Sequence, residues 1–516
     1  MSGMVGFKRA LCAGILSGAV LALAGPERPN VIIIYGDDVG FGDVGVYGAQ
    51  HIPTPNIDKL AGEGLRFMDG HCSSATCTPS RYSLLTGNAA FRKDGTAILP
   101  GDAQMAISPD QFTLPDLFKK AGYVTGVVGK WHLGLGDGRT PIDWNGEISP
   151  GPNDLGFDYS YILPATNDRV PCVYLRNRRI VNLDPSDPIK VDYKNKLTDT
   201  YPDAKEHPEA MTVYKSVYGH NFSVINGIGR IGWMSGGRAA LWDDETMSDQ
   251  LVLEAKSFMT RNREKPFFLY YAAQNIHVPR MPHPRFRGKS GLGYRGDSMV
   301  EFDWAVGEIL NEVEALGLRE RTLVIFSSDN GPVYNDGYAD GSQVERSFGE
   351  VDNGHDGSGV WRGGKYQIYE GGTRVPLIFC WPGVIQPGVT DSLVSQLDFM
   401  ASFASLFELS LPKNAAFDSR NMLPVFLGAE PPEKGAILVQ GGELVGLRQG
   451  CWKYVPPRPA TKRRAAMPEE LYNLSRDPGE ADNVAGAFPE KIEEMKVLRE
   501  KLMAEGIAGK IMQSAP

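Results

Sequence analysis

Short apolar runs that stop at polar or glycine-rich clusters constrain the fold of this chain more than any other feature. The first run, residues 30–35, is a continuous series of Val and Ile between an Asn and a Tyr, and it stops at Gly36-Asp37-Asp38. Similar runs cover residues 123–128, 267–273, 322–326 and 375–380. Continuous runs of this kind are typical of central strands that are covered on both faces of a sheet.

Apolar residues at helical spacing lie between these runs. One pattern places apolar side chains at i, i+3, i+4 and i+7 from Leu114, and a second covers residues 306–316. Strands that alternate with helices predict an α/β fold, in which a large, mostly parallel central sheet is flanked by helices. A chain of 516 residues with 42% hydrophobic residues is long and apolar enough to build such a core.

The carboxyl ends of the predicted strands carry the candidate functional residues. In a parallel sheet these ends meet at one edge, where ligands bind. Four of them carry residue types used as metal ligands or in acid–base chemistry: Asp37 and Asp38, Lys130 and His132, His277, and Asp329 with Asn330. Each pair alone would also suit a simple turn, but the four together predict one assembled site. Oxygen donors favour Ca²⁺ or Mg²⁺ over zinc.

Two regions depart from the strand–helix rhythm. Residues 133–250 are rich in Gly, Pro, Asp and Asn, which predicts long loops or an insertion over the site, with surface decoration as the alternative. After residue 425, short runs at 436–440, 444–448 and 452–455 predict a small antiparallel sheet. A helix that Pro489 opens follows it. We therefore predict a catalytic domain over 25–425 and a C-terminal subdomain over 426–516.

The first 24 residues have the pattern of a secretory signal peptide. Lys8 and Arg9 precede an apolar run over 10–24, which ends in Ala22-Leu23-Ala24. That run is shorter than the roughly 20 residues that span a bilayer, and its small-x-small end suits cleavage. The alternative is an ordinary buried helix. We predict export to the periplasm or the extracellular space, with no stable membrane insertion.

The charge balance argues against a nucleic-acid partner. Lys and Arg total 53 against 62 Asp and Glu, a net charge of −9. Proteins that bind nucleic acids generally need a basic excess to neutralise phosphates. We therefore expect no nucleic-acid partner.

Cys77 lies in the segment Cys77-Thr78-Pro79-Ser80-Arg81. Pro79 is well placed to open a helix, which would put Cys77 at a helix N-terminus that favours an anion. Arg81 would return to the same face one turn later. On this segment alone, Cys77 could equally be a buried structural cysteine or be paired with Cys72. The sequence also leaves open any disulfides among Cys72, Cys172, Cys380 and Cys451.

The stretch from Cys77 to Gly87 closely resembles the signature of the formylglycine-dependent sulfatase family, the arylsulfatase-like branch of the alkaline phosphatase superfamily. Further segments match this family in order along the chain, from about residue 29 to about 485: 30–38, 129–134, 276–279, 328–331, 363–365, 371–376 and 471–483. The resemblance implies an alkaline phosphatase-like fold and a sulfuric ester hydrolase.

The resemblance also implies the cofactors. In this family a maturation enzyme oxidises the signature cysteine, here Cys77, to Cα-formylglycine. The family's metal is Ca²⁺, with Mg²⁺ as the alternative. Its ligands would be Asp37, Asp38, Asp329, Asn330 and the modified Cys77.

Catalytic roles are carried over in the same way. The formylglycine hydrate is the implied nucleophile that attacks sulfur, and Arg81 would stabilise it. Lys130 and Lys365 would bind sulfate oxygens. His277 would protonate the leaving oxygen, and His132 would deprotonate the remaining hydroxyl to expel sulfate.

The substrate is less constrained. Asp168, Arg169 and His220 lie in the loop-rich region and are candidates to read hydroxyl or carboxylate groups, although they would equally suit loop anchors. Likeness to family members that act on galactose-type sugars favours an exo-acting enzyme on glycans that carry galactose sulfate or N-acetylgalactosamine sulfate. Two alternatives stay open: a phosphonate or phosphate ester hydrolase of the same superfamily, and a non-catalytic glycan-binding protein if Cys77 is not matured.

Overall fold

The structure is a computed structural model that describes residues 28–342, 352–431, 435–462 and 464–506. The predicted signal peptide, 1–24, lies outside the described residues. Within the described ranges, no helix is both long and apolar enough to cross a lipid bilayer.

Strands and helices alternate through much of the chain, with longer loops between some of them. The strands are β1 Asn30–Gly36, β2 Leu65–Phe67, β3 Gly70–His71, β4 Val124–Lys130, β5 Tyr159–Leu163, β6 Leu175–Arg176, β7 Arg179–Ile180, β8 Lys190–Asp192, β9 Val224–Ile225, β10 Ile228–Gly229, β11 Trp233–Ser235, β12 Phe267–Ala272, β13 Thr322–Ser328, β14 Leu377–Cys380, β15 Gly388–Thr390, β16 Val394–Ser395, β17 Ala436–Gly441, β18 Leu444–Gln449, β19 Trp452–Val455 and β20 Glu470–Asn473. The helices are α1 Pro55–Gly62, α2 Cys77–Thr86, α3 Leu114–Lys120, α4 Met247–Asn262, α5 Gly293–Ala315, α6 Glu370–Thr373, α7 Phe399–Leu406, α8 Leu423–Phe426 and α9 Pro489–Glu505.

A ten-stranded sheet forms the centre of the protein, in the order β15-β2-β14-β13-β1-β12-β4-β5-β6-β7. The five strands from β13 to β5 in that order are parallel. Antiparallel pairs join β14 to β13 and β6 to β5. The predicted α/β fold with a large, mostly parallel centre is confirmed, and the carboxyl ends of the five parallel strands lie along one edge.

Helices cover both faces of this sheet. On β12, Phe268 stacks on Phe118 of α3 with ring centroids 4.1 Å apart. The preceding residue, Phe267, meets Phe258 of α4 edge-on at 5.9 Å. Successive residues of a strand point to opposite faces, so α3 and α4 lie on opposite sides. Burial on both faces explains why these strands read as continuous apolar runs.

The region 133–250 consists mostly of loops, as predicted, but it also contributes the strands β5, β6 and β7 to the central sheet. β5 runs parallel to β4, and β6 and β7 extend the same sheet. The remainder does consist of loops with short two-stranded ladders, β8 with β11 and β9 with β10. Strands of two to five residues between Gly- and Pro-rich turns carry too few apolar positions to show a period.

A second, four-stranded sheet has the order β17-β18-β19-β20 and is antiparallel throughout. Leu447 and Leu471 of this sheet form an apolar cluster with Ile492 and Met495 of α9. The predicted small sheet and helix are confirmed, with β20 as an additional strand. The division at residue 425 stays a prediction.

Candidate active site

Two neighbouring parallel strands deliver acidic residues to one point of the sheet edge. Asp37 and Asp38 follow β1, Asp329 follows β13, and the last residues of the two strands are paired in register. Carboxylate oxygens of these three residues and the Sγ atom of Cys77 all lie within 4.8 Å of one another, and all four residues are buried. The structure thus brings together side chains predicted separately from distant segments.

A buried cation pairs with each of these carboxylates. The pairs are Lys130 Nζ with Asp37 Oδ2 at 2.6 Å, Lys365 Nζ with Asp38 Oδ2 at 2.9 Å, and Arg81 Nη2 with Asp329 Oδ2 at 2.8 Å. Although burial disfavours the charged form, Arg81 and Lys130 hold the pKa of Asp329 below its usual range. The positive charges of Lys130, Lys365 and Arg81 therefore offset negative charge on the three carboxylates. The same side chains remain close to any group that binds next to this cluster.

Cys77 is the first residue of α2, so this helix begins two residues before Pro79. Its Sγ atom lies 3.7 Å from Asp37 Oδ1. Burial raises the pKa of the Cys77 thiol above its usual range, even though Lys130 favours the thiolate. A neutral thiol is a weak nucleophile. All five cysteines in the described residues, Cys72 included, are free thiols, so the alternative of a Cys72–Cys77 disulfide is not seen.

The donor set fits a hard divalent cation. Asn330 Oδ1 is buried and has no hydrogen-bond partner in the described part of the chain, while Asn330 Nδ2 donates to Asp38 Oδ1 at 2.8 Å. A buried acceptor without a partner costs free energy, and a cation would satisfy it. Burial, together with the charges of Asp329 and Asp38, raises the pKa of Asp37 to about 8 against the effect of Lys130. An adjacent dication would reverse that shift.

The two predicted catalytic histidines differ in which ring nitrogen is free. His277 Nδ1 lies 2.7 Å from the carbonyl oxygen of Val278, and since a carbonyl only accepts, Nδ1 carries the proton. His132 Nε2 lies 3.0 Å from the carbonyl oxygen of Leu99, which leaves its buried Nδ1 without a partner among the described residues. Burial, and then the charge of a neighbouring lysine, holds the pKa of both histidines well below the usual range.

The three predicted substrate-binding residues form one hydrogen-bonded group. Arg169 Nη1 donates to both oxygens of Asp168, at 2.6 and 2.8 Å. His220 Nε2 lies 2.9 Å from Asp168 Oδ2. Although burial opposes charge, Arg169 and His220 hold the pKa of Asp168 well below its usual range. Asp168 is therefore ionised and fixes the positions of the other two side chains.

The sequence reasoning missed Asp336 and Tyr366. Asp336 Oδ2 accepts a hydrogen bond from Lys365 Nζ at 3.0 Å, and an Asp336 oxygen lies within 4.8 Å of a ring nitrogen of His277. Tyr366 Oη lies 3.2 Å from both oxygens of Asp336. Asn335-Asp336-Gly337 reads as an ordinary turn. In the sequence, only its position next to Lys365 indicated that Tyr366 could belong to the site.

The C-terminal sheet holds the backbone on both sides of this site. Gln440 of β17 pairs with the segment just before Cys77, because Ala75 N donates to Gln440 O at 2.8 Å. Ala75 O in turn accepts from Tyr366 N at 2.6 Å. Lys453 Nζ of β19 lies 3.0 Å from Glu370 Oε1, on the segment that follows Lys365. The second sheet therefore fixes the Cys77 and Lys365 segments relative to each other.

Replacing Lys453 with methionine is expected to lower the free energy of unfolding by about 3 kcal/mol, because it leaves buried carboxylates without one of their cations. Those carboxylates are Glu370 and Glu480, at 3.0 and 3.1 Å from Lys453 Nζ. Urea denaturation measures the loss. As a control, Lys496→Met removes a partly exposed pair with Glu469 on the same subdomain and should cost under about 1 kcal/mol. Equal losses in both variants would contradict a special role for Lys453.

Comparison with known proteins assigns the chain to a family. The sulfatase family model matches residues 29–409. The N-acetylgalactosamine-6-O-sulfatase of Bacteroides thetaiotaomicron is 46% identical over 485 residues, which covers 92% of this chain and 93% of that protein. Human arylsulfatase A is 32% identical and covers 96% of this chain and 91% of its own length.

Solved structures extend the comparison to the fold. A sulfatase structure from Bacteroides thetaiotaomicron, reported with the metabolism of multiple glycosaminoglycans, superposes with a TM-score of 0.87 at 46% identity, over 92% of this chain and 99% of that chain. The phosphonate monoester hydrolase of Agrobacterium radiobacter has a TM-score of 0.55 at 17% identity, over 92% and 96% of the two chains, and shares the fold alone. The chain belongs to the sulfatase family of sulfuric ester hydrolases, whose sequence motifs occur along it in the same order as in the family.

Proposed function

We propose that this protein hydrolyses a sulfate ester at the terminal, galactose-type sugar of a sulfated glycan. The observation that carries the proposal is the position of Cys77. It begins α2 inside a buried cluster of three carboxylates, where Lys130 and Lys365 supply positive charge. A sulfate group placed over this cluster would meet both lysines and the side chain at position 77.

We propose that Asp37, Asp38, Asp329 and Asn330 hold a divalent cation, Ca²⁺ by family resemblance, together with a formylglycine made from Cys77. When bound, the cation neutralises sulfate charge and the formylglycine supplies the oxygen nucleophile that a buried thiol does not. The support is the all-oxygen donor set and the unpartnered Asn330 Oδ1.

The positively charged side chains of the protein bind and orient the sulfate. Lys130 and Lys365 act as point charges on sulfate oxygens, and each keeps a carboxylate partner that fixes its position. Arg81 spans from Asp329 to the carbonyl oxygen of Lys130, with Arg81 Nη1 donating to the latter at 3.2 Å. Arg81 therefore fixes the Asp329 carboxylate and the Lys130 backbone in position close to residue 77.

The two histidines move protons at different atoms. His277 Nδ1 keeps its proton on the Val278 carbonyl, so Nε2 must first bind a second proton, which makes the ring an imidazolium. Nε2 then gives that proton to the departing sugar oxygen. Lys365 and Lys130 disfavour a charged His277, and a bound sulfate anion offsets those lysine charges. His132 Nδ1, buried and without a hydrogen, is suited to accept a proton from the group at position 77.

The sugar specificity is proposed from the relative and from the group around Asp168. The Bacteroides relative is named for N-acetylgalactosamine-6-O-sulfate, and we carry that substrate class to this chain. Asp168 holds Arg169 through Nη1, so the rest of the guanidinium can donate to sugar hydroxyls, and His220 lies beside it.

A panel of sulfated monosaccharides tests this assignment. We expect the highest kcat/KM on N-acetylgalactosamine 6-sulfate. Both ring nitrogens of His220 already contact protein acceptors, on Asp168 and Tyr218, so Arg169, which keeps donors for a sugar hydroxyl, is the residue to replace. We expect Arg169→Ala to lower kcat/KM on this sugar by about 100-fold while hydrolysis of a simple aryl sulfate falls less than tenfold, since a hydrogen bond to a charged group contributes about 1.5–3 kcal/mol. Equal loss on both substrates would contradict a role in sugar recognition. A strong preference for aryl phosphate over aryl sulfate would instead favour the phosphoester alternative.

We propose that the protein is exported, from the signal-peptide pattern in the first 24 residues. An extracellular or periplasmic location would bring it to sulfated glycans. N-terminal sequencing of the protein from its native source would show a start after Ala24 if the leader is removed.

A further inference from the structure

A small buried cavity borders His277. It measures about 10 Å³, which is close to the space that one water molecule or one monatomic ion occupies. Its wall includes the polar side chains of Asn167, Asp244, Gln274, Asn275 and Glu301. None of the carboxylates of the proposed divalent-cation site is among its lining residues in the described part of the chain. The cavity is therefore a feature separate from the acidic cluster.

Two amide oxygens of the wall lack a hydrogen-bond donor. Asn167 Oδ1 and Gln274 Oε1 are buried, and neither has a partner among the residues that the structure describes. Asn167 Nδ2 donates to the carbonyl oxygen of Pro279 at 3.1 Å, and because a carbonyl only accepts, this bond identifies the nitrogen of that amide. Gln274 Nε2 donates to Ser248 Oγ at 3.4 Å. Since a buried acceptor without a partner costs free energy, both oxygens favour a ligand in the cavity.

Glu301 adds a negative charge to the same wall. It is 2% exposed, and its oxygens accept from His283 N at 3.1 Å and from Asn275 Nδ2 at 3.0 Å. Both donors are uncharged, and within the described ranges no lysine, arginine or histidine forms an ion pair with Glu301. Burial raises the pKa of Glu301 to about 7. The surrounding protein therefore does little to stabilise the ionised carboxylate.

The other charged side chains of the wall already have partners of opposite charge. Asp244 Oδ2 lies 2.7 Å from Arg230 Nη2, and Arg280 is paired with Asp340. These two pairs cancel, so the wall carries a net charge of one, from Glu301. A ligand with a single positive charge would balance it.

The acceptors of the wall suit a monovalent cation better than water or a divalent ion. A water molecule could donate to two of the oxygens, but it would leave the Glu301 charge buried and unpaired, which is costly. A divalent ion would leave one positive charge in excess, and Ca²⁺ takes six to eight oxygen ligands. A monovalent cation matches both the charge and the small number of oxygens.

We propose that this cavity binds a monovalent alkali cation, Na⁺ or K⁺, with Glu301, Asn167 and Gln274 as its ligands. The inference goes beyond the proposed function, because it adds an ion that stabilises the fold next to the site. His277 N donates to Gln274 O at 3.0 Å, and Asp37 N donates to Asn275 O at 2.9 Å. The cation would therefore stabilise residues 274–277, which carry His277 and contact the backbone of Asp37.

Thermal unfolding in different chloride salts tests the proposal. The wild-type protein is melted in choline chloride that is replaced stepwise by NaCl or KCl at constant ionic strength, with Ca²⁺ present throughout. We expect the melting temperature to rise by about 2 °C for each tenfold increase in the cation that binds, since a ligand of the folded state stabilises it. Comparing the NaCl and KCl series identifies that cation.

Variants locate the effect in the cavity. Glu301→Gln, which removes the charge with little change in shape, should melt at the same temperature in choline and in the alkali salt. Asp303→Asn is the matched control on α5, because Asp303 is also buried but accepts from the backbone N atoms of Asn56 and Ile57, and it should keep the wild-type response. If Glu301→Gln does not fold, Gln274→Met, which removes one acceptor, should need a higher concentration of the cation for the same rise.

Two results would overturn the proposal. The first is a wild-type melting temperature that is the same in choline, Na⁺ and K⁺, which would mean that a proton neutralises Glu301. The second is a response to the cation that is unchanged in Glu301→Gln or in Gln274→Met. Neither measurement uses hydrolysis, so failure of the cation site and failure of the proposed function are separate outcomes.

Discussion

Replacing Cys77 with alanine is expected to lower sulfate-ester hydrolysis by a factor of about 10⁴ or more, because it removes the group from which the nucleophile is made. The rest of the site should survive. Cys77 contributes one contact at 3.7 Å to Asp37, while Lys130 and Lys365 keep their own carboxylate partners. The affinity for a sulfated sugar should therefore change less than tenfold, which calorimetry would measure.

Cys72→Ser is the matched control for this variant. Cys72 is also buried and lies five residues earlier, with its Sγ atom 3.1 Å from the carbonyl oxygen of Ser74. Its activity should stay within tenfold of wild type, since a serine hydroxyl can keep that hydrogen bond. Wild-type rates from Cys77→Ala would refute the assigned nucleophile.

Mass spectrometry of the peptide that contains Cys77 separates catalysis from binding alone. We expect the mass of an aldehyde in place of the thiol. An unmodified thiol in protein from the native source would favour the non-catalytic glycan-binding alternative.

The central strands and the metal-site residues were predictable for a common physical reason. β1 and β13 are buried on both faces, so their apolar runs are continuous and their ends are sharp. Asp37 and Asp329 come directly after those ends. The strand register then determines that these residues meet, and parallel pairing was predictable from the strand–helix alternation.

The rest depends on long-range contacts that carry no local signal. Asp336 lies in a turn sequence, and it reaches Lys365 through long-range contacts: its segment pairs with residues 215–217, and Lys365 N donates to Pro332 O at 2.9 Å. β5 to β7 are too short to show a period. The pairing of Lys453 with Glu370 joins residues 83 apart in the chain, and nothing near either residue in the sequence indicates it.

Removing the divalent cation with a chelator is expected to lower hydrolysis by a factor of about 10³ or more, because the cation neutralises the sulfate charge on which attack depends. Activity should return when Ca²⁺ is added. The melting temperature should also fall, since a ligand that binds only the folded state stabilises it. Full activity after exhaustive chelation would contradict a metal site at Asp37, Asp38, Asp329 and Asn330.

Cation binding should also depend on pH in a defined direction. The pKa of Asp37 is about 8 without a cation, chiefly because of burial. Below that pH the cation must displace a proton, so its affinity should fall by about tenfold for each unit from pH 8 to pH 6. Calorimetry in two buffers with different ionisation enthalpies would count the proton released.

Asp37→Asn removes the titrating carboxyl group, so the cation should bind more weakly and with little dependence on pH. Asp303→Asn is the matched control. Burial also raises the pKa of Asp303, to about 6. Unlike Asp37, however, this carboxylate accepts hydrogen bonds from the backbone N atoms of Asn56 and Ile57 at the start of α1 and is not a proposed cation ligand. It should therefore keep the wild-type pH dependence of cation binding. If Asp37→Asn kept the wild-type pH dependence too, the displaced proton would belong to a group other than Asp37.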